Sequence, residues 1–221
     1  MCLNDGGISM GCKNYENENI KICSYVVRYD SGFAPNPFWG YCTLACCKSP
    51  IRKSKNVNVG DWIIGTGSTE NVGNDKLIYT MKITEKMSFE NYSEDKRFKN
   101  KIPRSGLVEE RGDNIYYKKS EKWKQRPSYH GKKNMEDDLS GKCVLISDYY
   151  YYYGREAIPI PKKFNEIIKR FSGWKGIPNK TPSDKRIVEK FLKWIKRKDK
   201  GIHGIPWDFE PRSSSIKKRK C

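Results

Sequence analysis

The sequence has few of the residues that metal and catalytic sites use most often. His130 and His203 are its two histidines, and its eight cysteines form no C-x-x-C pair. Structural zinc sites usually draw on such pairs, so we predict no metal site and interpret the cysteines as small hydrophobic residues. Glu70 stands where a G-x-G-x-x-G motif starting at Gly65 would need its third glycine, and no Gly-Lys-Ser/Thr follows. The sequence therefore predicts no cofactor.

Long apolar runs are also missing, which argues against a membrane span. No signal peptide precedes the cysteines, and the chain is too long for a small disulfide scaffold. We therefore predict a reducing, cytoplasmic location. The sequence predicts no particular oligomeric state.

Acidic residues are scarce relative to basic ones. Lys and Arg number 44 and Asp and Glu 26, which gives a net charge of +18. Residues 162–221 hold 19 basic and 6 acidic residues, so the surplus is concentrated there. Codon usage in an AT-rich genome would raise the lysine content, but it would not concentrate the charge in one region. The charge predicts a polyanionic partner, DNA or RNA.

Composition divides the chain into a flexible N-terminal arm at 1–19, one domain at 20–209 and a basic tail at 210–221. Runs of β-branched and aromatic residues separated by turn sequences predict several strands between positions 24 and 87. A further strand is predicted at 149–153, where five consecutive tyrosines would alternate between two faces and leave some exposed.

Helices are predicted from caps and apolar spacing. Ser88 is the expected N-cap of a short helix, and apolar spacing predicts another helix at 162–171. Ser183 is the expected cap of a longer helix that has one apolar stripe and ends at Gly201. Together the elements predict an α+β fold, a small and strongly curved β-barrel with flanking helices.

Several uncommon strings occur in one order along the chain: Tyr29-Asp-Ser-Gly-Phe-Ala-Pro-Asn-Pro-Phe38, Cys42-Thr-Leu-Ala45, Gly60-Asp-Trp-Ile-Ile-Gly-Thr-Gly-Ser68 and Ser128-Tyr-His130. In these strings the chain resembles the bacterial and phage family called nucleotide modification associated domain 2, over residues 22–209. The resemblance implies work alongside systems that modify nucleic-acid bases. The order of strand, loop and a Gly-Asp pair leading a strand is also similar to PUA-like barrels, the group that includes EVE and YTH domains.

We predict that the chain recognises a nucleotide or a modified base of DNA or RNA without covalent chemistry. The loop from Phe33 to Gly40 is rigid because of its Pro-Asn-Pro core, and it holds aromatic groups that stack on a base. The alternative for each aromatic residue is a place in the core. The predicted base- or nucleotide-binding residues are Phe33, Asn36, Phe38, Trp39, Trp62, Gly65, Thr66, Gly67, Ser68, Tyr79, His130 and Asp148.

Basic side chains near the C-terminus are expected to hold the phosphates of the nucleic acid. The predicted phosphate-binding residues are Lys193, Lys196, Arg197, Lys217, Lys218 and Arg219.

Two alternatives stay open. The first is an enzyme that acts on a base or nucleotide with Cys42, His130 and Asp148, or with Asp113 in place of Asp148. The shortage of histidines and the lack of a recognised catalytic motif favour a binding protein instead. The second is a basic protein without a pocket, which would bind any polyanion alike.

Overall fold

The β-strands form three sheets in the computed structural model, which describes residues 20–165 and 181–209. The strands are β1 (Ile22–Val26), β2 (Cys42–Leu44), β3 (Trp62–Thr66), β4 (Lys76–Lys82), β5 (Glu85–Met87), β6 (Tyr116–Lys119), β7 (Lys122–Gln125), β8 (Val144–Ser147), β9 (Tyr149–Tyr152), β10 (Ile158–Pro159) and β11 (Gly201–Ile202). The predicted strand runs are thereby confirmed, with shorter bounds than the apolar runs suggest.

The largest sheet has the strand order β1, β3, β4, β9, β11, and β10 pairs with the start of β4. β1 lies parallel to β3 and β11 parallel to β9, whereas β3, β4 and β9 are antiparallel neighbours. A second, antiparallel sheet has the order β2, β8, β5, and β6 pairs with β7 as a hairpin. Asp148 is the single residue through which the chain passes from β8 in one sheet to β9 in the other.

The α-helices of the described residues are short except for the last. They are α1 (Ser49–Arg52), α2 (Phe89–Glu94), α3 (Met135–Ser140) and α4 (Pro182–Ile195), and short 3-10 turns lie at Lys96–Lys101, Glu109–Arg111, Lys132–Asn134, Gly154–Glu156 and Lys162–Phe164. Ser88 caps α2 as predicted, because its hydroxyl accepts a hydrogen bond from a backbone N–H of the first turn.

The predicted bounds of the last helix are wrong at both ends. Thr181, not Ser183, is the N-cap of α4, since its hydroxyl accepts a hydrogen bond from the backbone N–H of Asp184. A proline follows at the first helical position, where its fixed φ favours the start of a helix. The helix ends at Ile195, and Gly201 begins β11 instead. The predicted apolar stripe is confirmed, with buried members Val188, Phe191, Leu192 and Ile195.

The core has three parts, which fill the spaces between successive layers. The first lies between α4 and one face of the large sheet, with Ile22, Trp62, Ile64, Leu77 and Phe191. The second lies between the two sheets, with Cys42, Leu44, Ile63, Tyr79, Met81 and Leu145. The third covers the outer face of the small sheet with α2 and the hairpin, and it contains Phe33, Phe89, Tyr92, Tyr116, Val144 and Ile146.

The tyrosine run alternates between two faces of the large sheet, as predicted. Tyr150 and Tyr152 belong to the core between the sheets, and Tyr151 and Tyr153 belong to the core under α4. Tyr149 is partly exposed and the other four are buried. The expected exposure is therefore small, because β9 is a central strand with both faces covered.

The α+β class is confirmed, but the barrel is wrong for the part of the chain that the structure describes. The outer strands β1 and β11 of the large sheet, and β2 and β5 of the small one, each have one neighbouring strand only, so the two sheets pack face to face without closing. The relationship to PUA-like domains stays a prediction. The predicted arm at 1–19, most of the helix predicted at 162–171 and the tail at 210–221 lie outside the described residues. None of the described helices has the length and apolar composition that crossing a membrane requires.

Candidate functional site

Two tyrosines of β9 hold the loop between β1 and β2 through hydrogen bonds. The Tyr152 hydroxyl donates a hydrogen bond to Asp30 Oδ1 at 2.5 Å, and the Tyr150 hydroxyl donates to the Pro37 carbonyl at 2.9 Å. The backbone of Asn36 pairs in both directions with Thr43 at 2.9 Å. Because side chains and backbone both hold it, the loop has a fixed path from Asp30 to Pro37.

The same loop is tied to the segment that follows β11. The backbone N–H of Asp30 donates to Asp208 Oδ2 at 2.8 Å, and that of Asp208 donates to the Asp30 carbonyl at 2.8 Å. The Trp207 N–H donates to Asp30 Oδ2 at 3.1 Å. Burial raises the pKa of Asp30 to about 6, although the hydrogen bonds from Tyr152 and Trp207 favour the ionised form. Residues from distant parts of the sequence are thereby brought to one surface.

Gly32 allows the closest approach within this surface. A Cβ at this position would lie 2.8 Å from a ring carbon of Phe38 and 2.8 Å from Pro206 Cγ, and the φ of Gly32 is +74°. Both observations exclude an ordinary side chain here. The absence of a side chain at Gly32 lets Phe38 and Pro206 pack against the loop backbone.

Four half-buried aromatic residues form one surface, which we call the aromatic face: Phe38, Trp39, Tyr129 and Phe209. The Phe38 ring centroid lies 5.6 Å from that of Trp39 and 6.0 Å from that of Phe209. The buried Arg111 guanidinium lies 4.3 Å from the Tyr129 ring centroid and 5.6 Å from that of Phe209. Tyr129 and Phe209 thus share one buried cation, an arrangement stabilised by cation–π attraction.

A second buried cation lies beneath Trp39. Lys101 Nζ donates to Asn36 Oδ1 at 2.6 Å and to the Tyr41 carbonyl at 2.9 Å, and it lies 5.6 Å from the Trp39 ring centroid. Burial lowers the pKa of Lys101 to about 8. Asn36 also donates from Nδ2 to the Arg111 carbonyl at 2.7 Å. The predicted ligand residue Asn36 is therefore fully buried and used inside the protein, where it holds the loop above both cations.

His130 belongs to a cluster of three side chains that we call the thiol–histidine cluster: Cys47, His130 and Asp138. A donor atom from each of them, the sulfur, a ring nitrogen and a carboxylate oxygen, lies within 4.8 Å of the other two. Cys47 precedes α1, His130 follows β7 and Asp138 lies in α3. The three residues are far apart in sequence, so no spacing motif reveals them. The prediction of no metal site stays a prediction.

Asp138 is the centre of this cluster. Its Oδ2 accepts a hydrogen bond from the Tyr116 hydroxyl at 2.7 Å and lies 2.8 Å from His130 Nε2, and its Oδ1 accepts from the Cys47 N–H. The buried Arg52 guanidinium lies 3.6 Å from Oδ1. Burial alone would raise the pKa of Asp138, but these hydrogen bonds and the charge of His130 outweigh burial and hold it below the usual value. Asp138 is therefore a buried carboxylate that stays ionised.

Phe33 connects the cluster to the aromatic face. Its ring stacks on the His130 ring at a centroid distance of 5.0 Å and lies 6.4 Å from the Tyr129 ring. The backbone of His130 is fixed as well, because its carbonyl accepts hydrogen bonds from Gln125 Nε2 at 2.9 Å and from the Ser128 hydroxyl at 3.1 Å. Phe33 itself is buried, so its predicted contact with a base would be indirect.

The other predicted stacking residues lie in the core. Trp62 is buried with its ring 5.7 Å from that of Tyr149 and 6.4 Å from that of Tyr151. Tyr79 is buried between the sheets, where its hydroxyl lies 2.7 Å from that of Tyr25. A Cβ at Gly65 would lie 2.3 Å from the Tyr79 ring, so this glycine makes room for a cross-strand aromatic residue. These three residues hold the sheet together and lie away from the aromatic face.

The turn after β3 uses its polar groups internally. The Gly67 N–H donates to the Lys76 carbonyl at 2.9 Å, and the Ser68 N–H donates to Asn71 Oδ1 at 2.7 Å. Thr66 and Ser68 are buried. The predicted anion-binding turn at Gly65-Thr-Gly-Ser68 is therefore a hydrogen-bonded strand end, because the N–H groups of Gly67 and Ser68 already have acceptors in the protein.

The residues predicted for an enzyme are separated. Cys42 is buried between the sheets, and burial raises its pKa far above the usual range, so its thiolate is disfavoured. Asp148 is exposed at the step between the sheets, where its N–H donates to Thr84 Oγ1 at 3.2 Å. Asp113 accepts hydrogen bonds from Thr43 Oγ1 at 2.6 Å and from the Tyr92 hydroxyl at 2.7 Å. His130 has Asp138 as its carboxylate partner instead.

The predicted phosphate-binding residues of α4 and the turn after it are exposed. Lys193 lies in the last turn of α4, and Lys196 and Arg197 follow the helix directly. Lys217, Lys218 and Arg219 lie outside the described residues.

Sequence reasoning found Phe38 and Trp39 but missed their neighbours. Arg111, Tyr129 and Phe209 come from three other segments, and nothing in their local sequence marks them as partners of the loop. The adjacent string Ser128-Tyr-His130 was the signal that could have drawn attention to Tyr129.

The sequence profile of a family described as nucleotide modification associated domain 2 matches residues 19–213. The chain matches no curated protein and no solved structure at a significant level.

Proposed function

Because the chain belongs to the nucleotide modification associated domain 2 family, we propose that it binds a nucleotide or a modified base of DNA or RNA, without covalent chemistry, at the aromatic face. The observation that carries this proposal is a set of partly exposed aromatic rings on a fixed backbone beside two buried cations. The family links the chain to nucleotide modification, and stacking is the means by which proteins hold a base of any sequence.

The exposure of the rings supports this use. Most large aromatic side chains of the described residues are in the core, yet Phe38 and Trp39 keep part of their surface in water. Trp39 has a φ of 60°, in the left-handed region that costs an ordinary residue roughly 1 kcal/mol or more. The fixed loop also lowers the entropy that binding would cost.

Charge favours a ligand with anionic or electron-rich groups. Arg111 and Lys101 are buried beside the face, Arg111 against the rings of Tyr129 and Phe209 and Lys101 beneath Trp39. Their field is less screened by water than that of surface lysines. Exposed Lys193, Lys196 and Arg197 supply the phosphate contacts of the proposal, and these give affinity that falls with salt.

The proposal is tested by binding of canonical and modified nucleosides and mononucleotides, measured by thermal shift and by titration calorimetry. Phe38→Ala and Trp39→Ala should each weaken the preferred ligand about 5- to 100-fold, because a stacking contact contributes about 1–3 kcal/mol. Trp123→Ala is a matched control, since Trp123 is also half-buried but packs on Phe89, away from the face. It should leave affinity unchanged.

Two outcomes would reject the proposal. If the folded Phe38 and Trp39 variants bound like the wild type, the face would serve packing alone. If nucleosides failed to bind and heparin competed as well as DNA or RNA, the chain would be a basic protein without a pocket.

A further inference from the structure

The thiol–histidine cluster has no part in stacking, yet its three side chains are held in a defined geometry. Asp138 is held by Tyr116, by the Cys47 N–H and by the nearby Arg52. Cys47 and the following Lys48 both have positive φ values, 56° and 46°. Residues other than glycine rarely adopt this region, and such strain concentrates at functional positions. Cys47 is also half-buried, so reagents can reach it.

We propose that Cys47 is a nucleophile, that His130 takes its proton as general base and that Asp138 positions the imidazole. This inference rests on the proposed binding at the aromatic face and goes beyond its non-covalent character, since it assigns a pyrimidine base as a substrate that Cys47 attacks. Cys, His and a carboxylate in mutual reach form the arrangement by which proteins activate a thiol.

The hydrogen-bond pattern favours this role. Asp138 Oδ2 lies 2.8 Å from Nε2 of His130, a position that favours a proton on this nitrogen and orients the ring. When the imidazole gains the thiol proton, the ionised carboxylate already lies beside the new charge. The positive charge of Arg52 is held beside the Cys47 backbone, because its Nε donates to the Cys47 carbonyl at 2.8 Å. Positive surroundings favour the thiolate.

A zinc ion is the other species that could use these donors, and the surroundings disfavour it. Both oxygens of Asp138 are occupied by hydrogen-bond donors. Arg52 is buried 3.6 Å from one of them, so a divalent ion would be placed near an existing buried charge. That repulsion is large in a region from which water is excluded.

Thiol chemistry selects the substrate. Among base carbons, C6 of a pyrimidine is electrophilic because its double bond to C5 is conjugated with the group at C4. The sulfur of Cys47 forms a bond to C6, the C5–C6 π bond breaks, and its electron pair moves through C5 to the C4 oxygen or nitrogen. The sulfur proton goes to His130. C5 then takes a proton from water, and the hydroxide that remains takes the original C5 proton. The C6–S bond breaks as the C5–C6 double bond re-forms, and the sulfur regains its proton from His130, so no further reactant is needed.

The thiol is tested first without any nucleotide, using iodoacetamide and site-resolved mass spectrometry. Cys143 is the internal control, because it is also half-buried and burial raises its pKa. At pH 7 Cys47 should react at least about tenfold faster than Cys143. His130→Gln, confirmed as folded by circular dichroism, should slow Cys47 by about 100-fold, the scale of general-base catalysis. If His130→Gln does not fold, the ratio of the alkylation rates of Cys47 and Cys143 in the wild type decides whether Cys47 is activated.

The positioning role of Asp138 has its own readout. Only two histidines are present, so the ¹⁵N spectrum of the imidazoles is readily assigned. The wild type should show His130 with its proton on Nε2, and Asp138→Asn should shift the ring toward the other tautomer. An unchanged tautomer would remove Asp138 from the proposal.

The substrate is tested by exchange of the C5 proton of deoxycytidine and deoxyuridine monophosphates in D₂O. Wild type should introduce deuterium at C5, and Cys47→Ser should lose at least about 100-fold of that rate. Alkylation of Cys47 that is fast and depends on His130, without any nucleotide binding, would reject the aromatic face as a binding site. The assignment of Cys47 as a nucleophile would then stand. Alkylation of Cys47 no faster than of Cys143, or zinc in the purified protein that His130→Gln removes, would overturn the nucleophile. Binding and alkylation without exchange would overturn the pyrimidine assignment.

Discussion

Asp113 and Asp138 are equally buried, yet their surroundings move their pKa values in opposite directions. Burial raises the pKa of Asp113, and hydrogen bonds from Thr43 and Tyr92 with the charge of Lys101 do not fully compensate. The same burial acts on Asp138, where donors that include a histidine lower the pKa below the usual value. Asp113 accepts from neutral hydroxyls, whereas Asp138 lies beside an imidazole and a guanidinium.

The difference separates a scaffold from a reactive centre. Asp113, Thr43 and Tyr92 join β2 to α2 beneath the loop, and both charges of the Asp113–Lys101 region are weakened by burial. Such a network orders the backbone and supplies little charge. Asp138 keeps its full charge next to a half-buried thiol. Burying such a charge destabilises a protein through lost hydration, and buried charges of this kind are common at functional sites.

Asp138→Asn should produce the largest loss of stability in this comparison. The substitution keeps the volume but leaves Arg52 without its carboxylate, and breaking a buried pair costs about 3–5 kcal/mol. Urea unfolding at pH 7 measures this cost. Asp95→Asn is the control, since Asp95 pairs with Arg97 at the surface and such pairs contribute about 0–1 kcal/mol.

The stability of the same variant at acidic pH provides a second test. The folded pKa of Asp138 is lowered, so its stabilisation is present above the ordinary pKa of an aspartate and is lost as pH falls through the folded value. The difference in the free energy of unfolding between the wild type and Asp138→Asn should therefore become smaller below pH 4. A gap that stayed constant down to pH 2.5 would mean that Asp138 contributes through shape and not through charge.

Lys101→Met should have an intermediate effect. The change leaves Asn36 Oδ1 and the Tyr41 carbonyl without their buried donor, at about 1–3 kcal/mol in total. The folded pKa of Lys101, about 8, lies below its ordinary value, so the unfolded chain binds more protons between these values and stability rises with pH there. Urea unfolding at pH 8 and pH 10 should show that the stability of the wild type relative to the variant is higher at pH 10. A constant difference would place the charge of Lys101 in contact with water.

Asp113→Asn should have the smallest effect, about 1 kcal/mol, because an amide oxygen still accepts one hydroxyl hydrogen bond. Urea unfolding beside Asp138→Asn measures the contrast directly. Equal losses for the two variants would remove the distinction between scaffold and reactive centre.

Local chemistry in the sequence predicted most strands, since their β-branched and aromatic runs need no knowledge of neighbours. It also predicted the loop with Phe38 and Trp39. It did not distinguish Trp62 and Tyr79 from them, because an aromatic residue becomes core only when another element covers it. α4 covers the face with Trp62, and the small sheet covers the face with Tyr79.

The thiol–histidine cluster could not be predicted for a related reason. Cys47, His130 and Asp138 meet only after α1, the loop after β7 and α3 pack together. Cys42 lies within the same cysteine-rich run as Cys47, and the sequence gives no sign of which thiol is enclosed between sheets. The barrel was wrongly predicted because strand runs do not specify whether sheet edges meet.

The anchoring of the β1–β2 loop has a consequence for how this domain can acquire new preferences. Tyr150 and Tyr152 hold the loop through the Pro37 carbonyl and Asp30, and Lys101 holds it through Asn36 and Tyr41. None of these hydrogen bonds involves the side chains of Phe38 or Trp39. Selection can therefore exchange the two rings for other shapes while the platform beneath them keeps its path. A library randomised at these two positions would retune ligand choice and preserve the fold.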